Sequence, residues 1–317
     1  MHNLPSNQPC QPTRTQRLLQ GNAANQFPRP WLFLLGLVVL GWLLYNQITA
    51  FLWSIPQWTA LLYGTGLGFV ATLSGALFLL WPHRHHTRWL DLALSLSGGM
   101  MFAAAVFSLL LPASDLLSQQ QPASYWQPLL AGAVLLGALL MSLLEKHVPH
   151  GHPIAGHSAT DGHQFNRLWL FVCAIALHNI PEGLAVGVSF ADIKQNLGQS
   201  VSLAIALQDL PEGFAMAMVL LKLGVRPRAA FGWSLLAAIL EPLAAIVALV
   251  CSSGLNSLIT IANPLALALA AGAMFFVVIH EVIPETHSAH ASHSPRSSTL
   301  VFLAGFLLLW LLDTALL

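Results

Sequence analysis

The sequence predicts an all-α polytopic membrane protein of about nine transmembrane helices, and three observations carry that expectation. Of 317 residues, 56% are hydrophobic and only 8% are charged, whereas a soluble domain carries about a quarter charged residues. Mean hydropathy is +0.68. Apolar runs of about 20 residues, the length a helix needs to cross a bilayer, recur along most of the chain. The short alternating segments of a membrane β-barrel do not occur.

Residues 1–30 are polar, with Arg14, Arg17, Arg29 and several Pro, Gln and Asn, and read as a disordered cytoplasmic tail. The apolar run from Trp31 is too long for a signal-peptide core and lacks a small-residue cleavage site, so it is a retained helix at 31–53. Between residues 30 and 83 there is no Asp, Glu, Lys or Arg. That is too long for one crossing, and the break falls at Ser54–Trp58, which starts a second helix at 58–81. Further spans follow at 90–112, 127–146, 167–191, 199–222, 228–252, 260–286 and 299–317.

Orientation follows from the basic residues. With the N-terminus inside, eleven of the twelve Lys and Arg fall on the inner tail, loops and span ends; only Lys194 falls outside. Cytoplasmic loops carry this excess, so the N-terminus is cytoplasmic and the C-terminus periplasmic or extracellular. The 14 histidines divide the same way. His83, His85 and His86 lie on one inner loop, and His287, His290 and His293 on another. His147, His150, His152, His157 and His163 lie on the inner loop at 147–166. Neutral imidazole is the commonest metal ligand, so these loops suggest metal capture or sensing on the cytoplasmic face, against the plainer reading of polar linkers. Three dispersed cysteines (Cys10, Cys173, Cys251) indicate neither a disulfide framework nor a thiolate site.

The charges in or beside the spans are Asp91, Asp115, Glu145, Glu182, Asp209, Glu212, Glu241, Glu281, Glu285 and Asp313. All the deep ones are acidic. A charge at mid-membrane costs several kcal/mol and normally faces a partner or a pathway. With no deep Lys or Arg available, these carboxylates need an exogenous cation or a proton.

Two motifs sharpen this: HNIPEG at 178–183 and QDLPEG at 208–213. His178 and Glu182 are four apart on one helical face with Asn179 beside them; Gln208, Asp209 and Glu212 repeat the arrangement. Pro181 and Pro211 are expected to interrupt each helix, and Gly183 and Gly213 to admit a neighbouring helix. Consecutive spans run antiparallel, so one motif faces its inverted copy, a pattern that points to a transporter site near the midplane. One imidazole, three carboxylates and two amides suit Zn²⁺, with Mn²⁺, Fe²⁺ or Cd²⁺ possible. The plainer alternative is that these groups only bond helices together. Glu241-Pro242 adds a carboxylate, and HEVIPET brings His280, Glu281 and Glu285. Met101 and Ser108 lie seven apart on one face, with Asp115 near the outer end.

HNIPEG, QDLPEG, Glu241-Pro242 and HEVIPETH together resemble the ZIP family of divalent-metal transporters, its bacterial zinc-transporting branch above all. The resemblance covers residues 58–317 as an eight-helix core, to which the helix at 31–53 is an N-terminal addition. It implies a binuclear centre, one metal held by His178, Glu182, Gln208 and Glu212, the second by Asn179, Glu182, Asp209 and Glu212 with Glu241 alongside. Many members have a histidine at the position of Gln208, so the first site is harder here. The resemblance also implies an outer entrance lined by Met101, Ser108 and Asp115, and a cytoplasmic exit at His280, Glu281 and His287. It further implies a homodimer in the bacterial inner membrane, and movement of a metal-carrying helix block against a static one. The expected partners are divalent metal ions, lipid and a second copy of the chain, with no nucleic acid. The chain is not expected to be an enzyme. An intramembrane zinc hydrolase would show HExxH, and here His280-Glu281 is followed by Val282, Ile283 and Pro284. A metal receptor without transport is the other alternative.

Overall fold

Every described element is helical, because in lipid a helix satisfies its backbone polar groups within its own segment. The computed structural model describes residues 58–78, 87–120, 123–147, 161–191, 197–254, 258–287 and 294–316. The expected tail at 1–30, the helix at 31–53 and His150, His152 and His157 of the histidine-rich loop lie outside these residues.

Helix α1 spans Trp58–Leu77, and α2 (Thr87–Ala103) runs through a π-helical stretch, Ala104–Leu110, into α3 (Leu111–Gln120). After α4 (Ala123–His147) come the two motif helices, α5 (Asp161–Ser189) and α6 (Leu197–Lys222). Then follow α7 (Pro227–Ala238), α8 (Leu240–Ser253) and α9 (Ile259–Val277). A second π stretch, Val278–Val282, leads into α10 (Ile283–Thr286), and α11 (Pro295–Leu316) closes the chain. Among the described residues, seven stretches are long and apolar enough to cross a membrane. Helix α5, with 29 residues, spans about 44 Å and is long enough as well.

Four features depart from the sequence reading. Helix α5 begins at Asp161 and includes His163, six residues before the expected start, because backbone hydrogen bonding continues past the point where hydropathy stops. The span expected at 90–112 continues to Gln120 and takes in Asp115. Pro181 and Pro211 do not interrupt their helices; α5 and α6 run through them. The break falls instead in the span expected at 228–252, at Ile239, just before Glu241-Pro242.

Both π stretches end two residues before a proline, Pro112 or Pro284. Each removes an N–H that the preceding turn would use, and the turn widens. Leu111 N donates to Val106 O and Ile283 N to Val278 O, five residues back. The wider turn shifts the angular register, so the seven-residue spacing of Met101 and Ser108 no longer sets a shared face.

The helices pack as two groups. Helices α1, α5, α6, α7 and α8 form one; α2, α3, α4, α9, α10 and α11 form the other, and the groups meet mainly where α6 touches α2 and α5 touches α9. Most of α6 is buried, while α4 and α11 present Leu135, Leu139, Leu143, Leu300, Leu307 and Leu311 outward. Lipid tails are as apolar as leucine, so large side chains face lipid and small ones the helix contacts. Phe102, Phe107, Phe275, Phe302 and Phe306 tie α2 and its π stretch to α9 and α11, with Phe102 and Phe275 centroids 5.1 Å apart.

Glycine marks the closest backbone approaches. In the first group, a Cβ at Gly75 would meet Leu210 O, one at Gly213 would meet Thr72 O, and one at Gly183 would meet Glu241 O. In the second group, Gly99 lies against Phe302 O, Gly137 against Leu269 O, Gly272 against Val134 O and Gly305 against Leu96 O. Among the described glycines, each close contact stays within one group. Gly213→Ala is therefore expected to cost about 1–3 kcal/mol by overpacking against α1. Gly66, with nothing within 4 Å, should tolerate alanine and gain up to about 1 kcal/mol in helix propensity. Thermal unfolding of the purified protein in detergent checks both.

Candidate metal centre

The middle of α6 is the most enclosed part of the first helix group, and QDLPEG places three polar side chains there. Gln208 is fully buried and Asp209 nearly so, while Glu212 is half-buried one turn on. Helix α5 contributes Glu182 from the facing motif, also buried. One ligand atom from each of Glu182, Asp209 and Glu212 can be chosen so that all lie within 4.8 Å of one another. Each ionised pair at that separation repels by about 3 kcal/mol at an effective dielectric near 20. No Lys or Arg neighbours the cluster among the described residues, and a divalent cation among the acids would add attractions that outweigh these repulsions.

Two contacts hold the cluster in shape. Gln208 Nε2 donates to Glu182 Oε1 at 2.7 Å, joining the motifs across α5 and α6. Ser97 on α2 donates from Oγ to the Gln208 backbone carbonyl at 3.4 Å. The break before α8 has its own role. Asn179 Nδ2 donates to Ala237 O at 2.9 Å, at the end of α7, which leaves the amide oxygen as the atom that can serve a cation. Glu241, two residues past the break and buried, meets the Asp209 side chain. Gln208 Oε1, Asp209 Oδ2, Glu212 Oε2 and Glu241 Oε1 are all buried with no hydrogen-bond partner. Unmade polar contacts of this kind cost about 1–3 kcal/mol each. Four acceptor oxygens in one place call for a cation.

His178 faces Glu212 of the central cluster on one side and Glu281 of the second helix group on the other. Its Nε2 lies 2.8 Å from Glu281 Oε2, on the second π stretch, with Glu212 and Glu145 as further nearby carboxylates. Imidazole thus stands between the central acids and the second helix group. Beside it, His280 Nε2 lies 3.6 Å from Glu145 Oε1, so His280 and Glu281 each find a partner of opposite type. Glu145 was not among the residues expected here; an acid at the end of an apolar span, next to Lys146, is the only sequence signal it carries. The structure does not bring His287 to this cluster. Its Nδ1 lies 2.9 Å from Ile283 O and its Nε2 3.0 Å from Thr299 Oγ1, joining the end of α10 to α11.

Near the C-terminal end of α11, Ser108 Oγ donates to Asp313 Oδ1 at 2.9 Å, and both are buried. Asp313 is a further residue that no motif marks, though its depth in an apolar helix does. Met101 is buried on α2, and Asp115 is exposed on α3.

Against known proteins, the model of the ZIP zinc transporter family matches residues 149–313. The zinc transporter ZIPB of Bordetella bronchiseptica is 42% identical over 255 residues, 80% of each chain. The zinc transporter GufA of Myxococcus xanthus is 38% identical over 213 residues, 66% of this chain and 80% of GufA. Human zinc transporter ZIP11 is 35% identical over 164 residues, 49% of this chain and 45% of ZIP11.

Removing a carboxylate from a desolvated cation site leaves charge uncompensated, at about 3–5 kcal/mol, whereas an amide supplies only a dipole. Glu182→Ala is expected to weaken Zn²⁺ binding by the purified protein more than a hundredfold, and Asn179→Ala by far less. Calorimetric titration checks the order.

Proposed function

This chain belongs to the ZIP zinc-transporter family, and from that premise we propose that it imports Zn²⁺ into the cytoplasm through the cluster on α5, α6 and α8. The observation that carries the reading is the set of four buried acceptor oxygens without partners, set among acids with no Lys or Arg beside them among the described residues. Cd²⁺, Mn²⁺ and Fe²⁺ are further candidate substrates, since the donor set is oxygen-rich. In the reading adopted here the centre takes two cations. Glu182 and Glu212 bridge them, Gln208 and His178 belong to the first, and Asn179, Asp209 and Glu241 to the second.

A cation enters past Asp115, Met101 and the Ser108–Asp313 pair, and gives up water to the central carboxylates. From the position beside His178 it passes Glu281, and leaves past His280 and Glu145 toward the histidine-rich inner segments. The ion pair between His178 and Glu281 supports this order, because it joins the central cluster to the other helix group. All seven central residues ride on the first group. Close glycine contacts bind each group internally and none of those described joins the two, which favours movement of one group against the other with its cation aboard. The protein acts in a bacterial inner membrane as a homodimer, with its N-terminus in the cytoplasm.

The reading is of a transporter and not an enzyme, since Glu281 is committed to His178 and no second histidine follows it at HExxH spacing. Zn²⁺ uptake into proteoliposomes holding only the purified protein tests it; a receptor or a hydrolase would leave the vesicles empty. Gln208→His replaces an amide oxygen with an imidazole nitrogen and is expected to shift competition in favour of Zn²⁺ over Mn²⁺ by about tenfold. Unchanged competition would remove Gln208 from the centre. In a cysteine-free background, Asn196→Cys should react with an impermeant thiol reagent added to intact cells, and Ser158→Cys should not. The opposite labelling would invert the membrane orientation.

A further inference from the structure

Helix α1 carries none of the motif residues, yet it closes one wall of the centre. Its glycines at 64, 68 and 75 face α6 or α8, but the three positions differ in what they touch. At Gly75 an added Cβ would run into the Leu210 backbone, and at Gly64 into Ser202 Oγ and the Phe190 ring. At Gly68 the three nearest atoms are all carboxylate oxygens, Glu241 Oε1 at 2.5 Å and Glu241 Oε2 and Asp209 Oδ2 at 2.9 Å. Two of these three, Asp209 Oδ2 and Glu241 Oε1, are among the buried oxygens with no hydrogen-bond partner.

We propose that Gly68 is the positioning residue of the second cation: the missing side chain lets Asp209 and Glu241 converge against the α1 backbone, and any larger residue pushes them apart. The proposal rests on the two-cation reading above. A methyl group at position 68 reaches ordinary van der Waals distance, 3.4 Å, only if the Glu241 oxygen recedes by about 0.9 Å. Zinc–carboxylate bonds are about 2.0–2.2 Å long, so a displacement of that size takes an oxygen out of the coordination sphere. The atoms that must move are the far ends of flexible side chains and not backbone. The variant therefore folds, and the change falls on cation geometry. At Gly75 or Gly213, by contrast, the obstacle is a peptide carbonyl and the fold bears the strain. The three atoms nearest the added Cβ belong to Glu241 and Asp209, which the two-cation reading assigns to the second cation, so the effect falls first on that position.

The test uses the purified full chain in detergent, with bound Zn²⁺ counted by elemental analysis, affinities taken from calorimetric titration, and thermal unfolding followed in parallel. Wild type should bind two Zn²⁺. Gly68→Ala should keep its melting temperature and one Zn²⁺ of wild-type affinity, and lose the second or bind it at least about tenfold more weakly. Gly64→Ala, which crowds Ser202 and Phe190 on the same helix, should keep both. In Gly68→Ala/Glu241→Asp, the shorter acid withdraws from the methyl, and part of the lost second affinity should return. Two Zn²⁺ of wild-type affinity in Gly68→Ala would overturn the proposal, as would failure of that variant to fold while Gly64→Ala folds. Loss of the second Zn²⁺ in Gly64→Ala, or no recovery in the double variant, would assign the effect to general packing and overturn it equally. A single Zn²⁺ in wild type would instead remove the two-cation reading on which it stands.

Discussion

Acidic side chains buried at membrane depth with no Lys or Arg beside them among the described residues organise the rest of this molecule. Glu182, Asp209 and Glu212 converge within 4.8 Å, and Glu241 joins them from α8. In hydrocarbon such a cluster is tolerated only if something positive visits it or if its groups find other partners. The protein supplies a few polar contacts, chiefly Gln208 to Glu182 and Asn179 to Ala237, and leaves four oxygens with none. Those contacts fix geometry. They do not supply the missing charge, and so the centre remains suited to a divalent cation.

The helices that deliver these groups are held by small residues. Gly183 brings α5 onto the α8 backbone at Glu241, and Gly213 brings α6 onto α1 at Thr72. The glycine of each PEG motif thus seats the adjacent glutamate by letting a third helix come close. Without a hydrophobic driving force between helices in lipid, such close approach supplies the packing that holds a bundle together. Its distribution matters as much as its presence, because the close backbone contacts described lie within each group, and polar contacts of individual side chains reach across. His178–Glu281 and Ser97–Gln208 are contacts of that second kind. Both involve residues of the HNIPEG and QDLPEG motifs.

Proline acts in three ways along the chain. In α5 and α6 it is absorbed without a break. Before Glu241-Pro242 the helix divides, and the buried carbonyl of Ala237 at the end of α7 accepts from Asn179. Ahead of Pro112 and Pro284 the helix widens into π turns that carry Ser108 in one case and His280 and Glu281 in the other. Wide turns of this type recur at functional sites. Here they aim Ser108 at Asp313 and Glu281 at His178.

Much of this was legible in the sequence. Hydropathy marked the spans, the count of basic residues suggested a direction, and the repeated PEG motifs named Glu182, Asp209 and Glu212 as a group, because helical periodicity fixes which neighbours in sequence share a face. Gly68, Glu145 and Asp313 carry no such mark, since their roles arise from residues on other helices more than a hundred positions away. His178 and His287 show the same limit: the sequence presented two available imidazoles, and tertiary packing gave one to Glu281 and the other to Thr299. Whether a proline breaks, bends or widens a helix was likewise undecided by its position, because neighbouring helices supply or withhold the partners for the carbonyl it frees. Local periodicity determined which acids could act together; three-dimensional packing decided which of them have partners, since only it brings distant donors, carbonyls and backbones within hydrogen-bonding reach.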